Sequence, residues 1–329
     1  SYAESEAWIA AIYQDQPLVT LVDQRNRPIS SSSAPSVMAM MLEALAVSPG
    51  ATILEIGTGS GYNAALLVTL AGEAGVVTTI DVEDTLVRAA TQALHRSIGH
   101  VETHVGDGRL GVPPKRSLYD RIIATASSPD IPPIWYDQLA LEGRLVMPLQ
   151  GSLGKGGFLI IEKKANGEAR GFFDARSLHF MPLRAGASPF NADQQPSPLS
   201  ALLRQPVTQR IQLPSDNTTT ILFEGDAFHW YLQWAMPGVT VTRSTMTQGP
   251  SVGQSVITFT DATSTVVQLF LTEGTWRGNQ RGDFALWEMI KQAYGTWVEK
   301  GQPGIETYSV EWDTRDRRFR LLGPYELLL

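Results

Sequence analysis

Apolar and polar positions alternate with two different periods along the first half of the chain. Trp8, Ile9, Ile12 and Tyr13 stand at helical spacing within residues 1–16 and predict a short amphipathic helix. The run Ile29-Ser-Ser-Ser-Ser-Ala-Pro35 breaks that pattern. Pro35-Ser36 then sits where a helix start is expected before VMAMMLEALA, giving a helix over about 35–46. After Pro49-Gly50, ATILEIG reads as a strand ending in glycine, and residues 62–70 have helix periodicity. Strands are predicted over 76–81, 101–107, 119–125, 144–149 and 157–164, with a helix over 85–97. Strands that alternate with helices mean crossover connections and a parallel sheet covered on both faces.

The pattern changes beyond residue 186. Stretches such as GASPFNADQQPSPLS and QLPSDNTTT have turn and linker chemistry. Past them, ILFEGD, VTVTRSTM, SVITFTD and TVVQLFLTEG read as β-rich. DFALWEMIKQAYGTWVEKG reads as one amphipathic helix, and ETYSVEWDT with RRFRLLGP as a last pair of strands. The expected organisation is an α/β domain over 1–190, a linker over 191–212 and an α+β accessory domain over 213–329.

Composition narrows the chemistry. With 329 residues, 43% hydrophobic and 18% charged, the chain has the make-up of an ordinary globular protein of two domains. A net charge of −7 argues against a nucleic-acid partner, because phosphate-backbone affinity needs clustered Lys and Arg. The chain has no cysteine, which excludes disulfides, Cys-ligated metals and a thiol nucleophile. The five histidines are scattered, with His95, His100 and His104 across a helix end and a strand, so no metal site is expected. No apolar run approaches the roughly 20 residues of a membrane span, and the expected location is the cytoplasm.

Candidate ligand chemistry sits at the first strand-to-helix turn, Leu54-Glu55-Ile56-Gly57-Thr58-Gly59-Ser60-Gly61-Tyr62. Glycines there let the backbone turn sharply and approach a ligand closely. A dinucleotide fingerprint wants a small residue at position 62, where this chain has Tyr62. Glu55 before the loop suits a positively charged amino group, as in the methionine moiety of S-adenosyl-L-methionine, and would repel a pyrophosphate. Asp81, closing the second strand before Val82, can accept hydrogen bonds from both ribose hydroxyls. Asp107-Gly108, after the third strand, can hydrogen-bond an adenine amino group while leaving room for the ring. The expected cofactor residues are Glu55, Ile56, Gly57, Thr58, Gly59, Ser60, Asn63, Asp81, Val82, Asp107 and Gly108. Three acids at successive strand ends mark one rim of an open α/β sheet, where such sheets bind ligands.

Together, ILEIGTGSGY, IDV, GDG, YDRIIATAS and EGRLVMPL resemble the protein-L-isoaspartate O-methyltransferase family over residues 30–185. The resemblance implies a Rossmann-like class I methyltransferase fold, S-adenosyl-L-methionine as donor and S-adenosyl-L-homocysteine as product. In that family a Ser-containing segment before the sheet lies beside the substrate carboxylate. The matching stretch is Ser30-Ser31-Ser32-Ser33-Ala34-Pro35, so the resemblance gives Ser33 the family's catalytic role, and Ser32, in place of the usual isoleucine, is expected to be catalytic beside it. Ser31, Ser32, Ser33, Ala34 and Ser127 are the expected substrate-binding residues. By themselves, four serines before a helix also read as a solvated loop with one N-cap.

The serine variant and the long C-terminal extension are similar to the branch that modifies ribosomally synthesised peptides: lanthipeptides, lasso peptides and graspetides. That likeness implies methylation of an ordinary aspartate, with the ester closing to an aspartimide, and a macrocyclic peptide as partner. Phe228, Trp230, Tyr231, Trp234, Trp276, Trp287, Tyr294 and Trp297 are the expected recognition surface, or else the core of a small domain. The alternative is repair of isoaspartyl residues in damaged proteins. A small-molecule methyltransferase, a nicotinamide oxidoreductase and a catalytically inactive scaffold fit the motifs less well.

Overall fold

The computed structural model describes residues 9–98, 101–113, 118–184, 198–213, 225–245, 255–261, 264–272, 275–323 and 327–328. The expectations for Trp8, for positions 191–197 and for positions 221–224 lie outside the described residues. Residues 9–12 are helical. A hairpin follows, of β1 (Leu18–Val22) and β2 (Pro28–Ser32), then α1 (Pro35–Leu45), β3 (Thr52–Ile56), α2 (Tyr62–Ala71), β4 (Val76–Asp81) and α3 (Asp84–Ser97). Next come β5 (Glu102–Val105), β6 (Tyr119–Ala124), α4 (Pro133–Gln138), β7 (Leu139–Gln150), β8 (Gly156–Lys163) and β9 (Ala169–Asp174). The remainder comprises α5 (Pro198–Leu202), β10 (Val207–Gln212), α6 (Asp226–Ala235), β11 (Thr240–Thr245), β12 (Ser255–Thr260), β13 (Val266–Thr272) and β14 (Thr275–Arg281). It ends with α7 (Leu286–Glu299), β15 (Ser309–Asp313), β16 (Arg318–Leu322) and β17 (Leu327–Leu328). None of the described helices is long and apolar enough to cross a membrane.

A ten-stranded sheet runs β17-β16-β15-β9-β8-β7-β6-β3-β4-β5, parallel from β7 through β5 and antiparallel elsewhere. Successive residues of its central strands serve opposite faces, as the pleat requires. Ile53, Ile123, Val146 and Phe158 join Met41, Leu67 and Leu94 from the three helices of one face. Leu54, Ile122, Leu145 and Leu159 join Trp135 on the other. Both faces are covered, so these strands read as continuous apolar runs. From β3 the chain moves outward through β4 and β5, then returns to pair β6 on the other side of β3. That reversal opens a crevice at the carboxyl ends of β3, β4 and β6.

Two boundaries differ from the sequence reading. The expected linker over 191–212 contains β10, which pairs antiparallel with β14. Its polar composition reflects an edge position, exposed for much of its length. The chain past 213 is also not one separate body. The β10–β14 sheet packs on α6 and α7 as a small α+β unit, but β15 and β16 return to extend the large sheet beside β9. Gly171 permits that contact, since a Cβ there would lie 2.7 Å from Val310 Cγ2.

The accessory aromatics are mostly core. Phe228, Trp230, Tyr231, Trp234, Trp287 and Trp297 are each no more than 9% exposed. Trp276 and Tyr294 pack partly buried against the cluster that holds Phe228, Tyr231, Trp287 and Trp297. These rings therefore supply apolar area to the interior rather than an open recognition surface. Helix α6 carries four of them and docks on the β7–β8 hairpin. Trp230 meets Phe173 edge-on at 5.0 Å, while the Gln233 amide spans the backbone N and O of Lys155 at 3.2 and 2.9 Å. Lys155 also pairs with Asp226.

Candidate active site

The loop after β3 is held from both sides. Gly57 N donates to Ile80 O at 2.8 Å and Gly61 N to Thr58 O at 2.8 Å. Gly57 adopts φ +104°, and a Cβ there would meet Thr125 Oγ1 at 2.6 Å. Gly61, at φ +82°, would bring a Cβ within 3.0 Å of Ala90 Cβ on α3. The glycines thus serve a left-handed backbone and close packing under the loop. Asp81 finishes β4 with both oxygens engaged by backbone: Oδ2 accepts from Gly59 N at 3.0 Å and Oδ1 from Glu83 N at 3.0 Å.

A continuous cleft runs along these strand ends. Ser30, Ser31 and Ser33 form one wall, Gly57 and Gly59 the floor, and Asp81, Val82 and Gly108 the far end. Ser32, Thr58, Ser60 and Asn63 line an adjoining part that shares Ser31, Ser33 and both glycines. Ser30, Ser31 and Ser32 reach this wall as strand β2, paired to β1 with Leu18 opposite Ser32, where their composition predicts a break, and Ser33 follows between β2 and α1. Ser30 is buried and accepts from Thr20 Oγ1 at 2.9 Å, so one of the four hydroxyls fastens the hairpin. Ala34 sits outside the cleft at the start of α1, where its carbonyl accepts from Met38 N at 3.1 Å. The amide of Ser36 donates to Asp15 Oδ1 at 2.9 Å, which holds that carboxyl below the usual range.

Four expected site residues take other partners. Glu55 is fully buried beneath the loop and does not line the cleft. Its Oε2 accepts from Thr79 Oγ1 at 2.6 Å and its Oε1 from Asn63 Nδ2 at 2.8 Å. Burial pushes its pKa up to about 7 against the pull of those two donors. Ile56 likewise lies inside, its carbonyl accepting from Thr125 N at 2.9 Å. Asp107 is bridged by Arg109, with Oδ2 accepting from Nη2 at 3.0 Å, and this hydrogen bonding lowers its pKa. Its neighbour Gly108 reaches the cleft instead, where a Cβ would strike Ile56 Cγ2 at 2.5 Å. Ser127 also turns away: its hydroxyl donates to Phe180 O at 3.1 Å.

That bond reveals a wall the sequence reading missed. Ser127 N donates to Met181 O at 2.9 Å and Leu183 N to Ser127 O at 2.8 Å, fixing residues 180–184 along the cleft. Phe180, Met181, Leu183 and Arg184 line it, together with Thr125 and Ala126. A segment that bonds to a distant strand tip carries no local period by which to find it.

Residues 2–187 match the family model for protein-L-isoaspartate(D-aspartate) O-methyltransferase. The chain belongs to this family. The protein-L-isoaspartate O-methyltransferase of Anaeromyxobacter dehalogenans is 36% identical over 177 residues, covering 53% of this chain and 79% of the relative. That of Xanthobacter autotrophicus is 40% identical over 158 residues, covering 47% and 69%. A solved protein-L-isoaspartate O-methyltransferase structure aligns with a TM-score of 0.55 at 23% identity, covering 96% of this chain and 88% of its own. The likeness of fold therefore extends over the accessory unit as well.

This methyltransferase uses S-adenosyl-L-methionine. The residues present fit that donor. Gly57, Gly59 and Gly108 line the cleft without side chains to obstruct it, and Asp81 places at its rim a carboxylate oriented by the amides of Gly59 and Glu83. The donor supplies an electrophilic methyl group on a cationic sulfur. The chain's contribution is to hold it, keep water away and align a nucleophile against it.

Proposed function

We propose that this chain methylates a carboxylate carried by an aspartate-derived residue of a peptide or protein, with L-isoaspartate as the reading its relatives favour. The supporting observation is that Ser31 and Ser32, at the end of β2, and Ser33, just after it, carry hydroxyls along the same cleft as Gly57, Gly59 and Asp81. In this proposal Ser33 orients the carboxylate, Ser31 and Ser32 line its approach, and Asp81, Val82 and Gly108 hold the nucleoside. A carboxylate is ionised at neutral pH, so no general base is required. One oxygen attacks the methyl carbon, the carbon–sulfur bond breaks with its electron pair on sulfur, and the products are a methyl ester and S-adenosyl-L-homocysteine.

A second reading is methylation of an ordinary aspartate in a constrained, ribosomally made peptide such as a lanthipeptide, lasso peptide or graspetide. The observation favouring it is Ser32, a hydroxyl in the cleft where the family resemblance implies isoleucine. The next backbone nitrogen would attack the ester carbonyl, with its proton leaving on methoxide as methanol, to give aspartimide. Mass spectrometry after incubation with donor separates the readings. An isoaspartyl peptide that gains a methyl group, while its aspartyl isomer and a cyclic aspartyl peptide do not, supports repair. Methylation of the cyclic aspartyl peptide followed by loss of methanol supports the second. Methylation of none of them overturns both.

A further inference from the structure

The accessory sheet is charged against the trend of the chain. Strands β10 to β14 contain Arg210, Arg243, Arg277 and Arg281 and no aspartate or glutamate, in a protein whose net charge is −7. The pleat sorts these arginines. Ile211, Ile257, Phe259, Val267 and Leu269 share a core with α6 and α7, so the residues that alternate with them stand on the opposite face. Arg210 precedes Ile211 and is the register partner of Asn279, which is flanked two places away on β14 by Arg277 and Arg281. Arg210, Arg277 and Arg281 therefore share the face turned away from the helices. Arg243, opposite Ile257, belongs to the other face.

Register also sets the spacing. Arg277 and Arg281 are separated by about 13 Å along one strand, at roughly 3.3 Å per residue, and Arg210 stands between them on the neighbouring strand. Arg210 and Arg277 are exposed, and neither has an ion pair among the described residues. Arg281 is half-buried, and its Nη1 donates to Gln268 Oε1 at 3.2 Å, which holds its guanidinium on this face. The acids around the sheet are engaged elsewhere or lie beyond it. Glu288 accepts from Gln209 Nε2 at 3.1 Å and pairs with Lys291, Asp261 accepts from the amides of Ser264 and Thr265, and Asp283 follows in the turn after Arg281. Like charges on neighbouring strands repel, so the arrangement costs the folded chain stability that an anionic partner would restore.

We propose that this face docks an acidic segment of the polypeptide substrate, apart from the residue methylated in the cleft. The inference rests on the substrate being a peptide or protein. An extended segment presents side chains on one side about every 7 Å, so alternate carboxylates laid along β14 meet Arg277, Arg210 and Arg281 in turn. Guanidinium groups suit such carboxylates because their fork of donors matches two oxygens. A nucleic acid fits less well, since Phe270 is the one aromatic residue described on this face and single strands bind by stacking on several rings. The remainder of the chain carries excess negative charge and repels an acidic segment, so the arginine face selects where it settles.

The test is fluorescence anisotropy of the full chain with a labelled isoaspartyl peptide that bears, through a flexible linker, a tail of glutamates or of glutamines. An exposed charge pair is worth up to about fivefold, so the glutamate tail should bind about tenfold tighter at about 50 mM salt. At about 500 mM salt, where screening is severe, that preference should largely vanish. The triple variant Arg210→Gln, Arg277→Gln, Arg281→Gln should lose the preference and keep wild-type donor affinity. The control is Arg170→Gln, Arg317→Gln, Arg318→Gln, which removes equal charge from arginines paired with Glu311, Asp137 and Asp316 and should change the preference less than twofold. If the first triple variant does not fold, Arg210→Gln and Arg277→Gln singly should each lower the preference by about two- to threefold. In methylation assays the glutamate tail should lower KM and leave kcat unchanged. A preference that survives in the arginine-face variants, or that the control loses equally, overturns the proposal, as does an oligonucleotide of equal charge that displaces the glutamate tail. Tail preference without any methylation would instead sink the reading of the substrate.

Discussion

Substituting Gly57 by Ala tests whether the loop geometry is what admits the donor. Two costs follow from the structure. At φ +104° an L-residue is strained, by roughly 1–3 kcal/mol. The new Cβ would also lie 2.6 Å from Thr125 Oγ1, far inside normal contact. Thr125 relieves this only by swinging its hydroxyl away from Gly57 O, at 2.8 Å, and Ile56 O, at 3.2 Å, losing about 1 kcal/mol. The sum is about 2–4 kcal/mol, shared between folding and donor affinity. If the loop shifts to absorb it, affinity falls about 30-fold or more. Gly59→Ala is the control, because its φ is +51° and the nearest atoms to a Cβ lie at 3.8 and 3.9 Å. It should cost only about 1 kcal/mol. Urea denaturation and calorimetric donor binding measure both quantities. Adding Thr125→Ala to Gly57→Ala should cost less than the two single changes together. If Gly57→Ala binds donor within twofold of wild type, or costs no more than Gly59→Ala, the loop argument is wrong.

Asp81→Ala removes the acceptor for Gly59 N and Glu83 N together with the carboxylate at the nucleoside end, and calorimetry should show donor affinity reduced at least tenfold with the far-UV spectrum unchanged. Trp135→Phe leaves Gly108 O without the indole donor now 2.8 Å away, so urea denaturation should show a loss of about 1–3 kcal/mol. Stability should also carry the signature of Glu55. Its folded pKa of about 7 lies above the ordinary 4.5, so between those values the folded chain holds a proton that the unfolded chain has released. Stability from this group therefore falls as pH rises across that window, by about 3 kcal/mol, and the stability of Glu55→Gln measured against wild type should improve from pH 5 to pH 8.

The catalytic half of the fold was legible because its signals are local. TILEI between Pro49-Gly50 and Gly57, VVTTID, and the helix from Asp84 to Ser97 each carry a period or a stop signal within a few residues. Gly57, Asp81 and Gly108 follow from the turns that end those strands. What was not legible depends on partners far along the chain. Ser30, Ser31 and Ser32 form a strand because Leu18–Val22 pairs with them, and Phe180–Arg184 forms a wall because Ser127 bonds to it. Glu55 reads as a ligand from its position, yet burial turns it inward onto Thr79 and Asn63. Helix α6 was hidden for a related reason: DAFHWYLQWA is buried at seven consecutive positions, so it has no polar face to set a period.

The route of the last strands changes what can be asked of the accessory unit. Cutting the chain after residue 212 would remove β15 and β16 along with β11 to β14. It would bare the edge of β9 and strip Tyr308, Val310, Phe319 and Leu321 from the core shared with Leu159 and Ile161. Loss of methylation after such a cut would then report a damaged sheet, not a lost recognition surface. The contact of α6 with the β7–β8 hairpin is the cleaner point of attack. Lys155 is joined there to Gln233 and Asp226, and the other end of the turn leads back to the site, where Gln150 N donates to Ser128 O at 2.9 Å and Ser128 N to Pro148 O at 3.3 Å. Ser128 follows Ser127, the residue that fixes the 180–184 wall. A bonded path thus leads from the accessory unit to the residues beside the cleft, and activity and donor binding of Gln233→Ala test whether it matters while leaving both sheets paired.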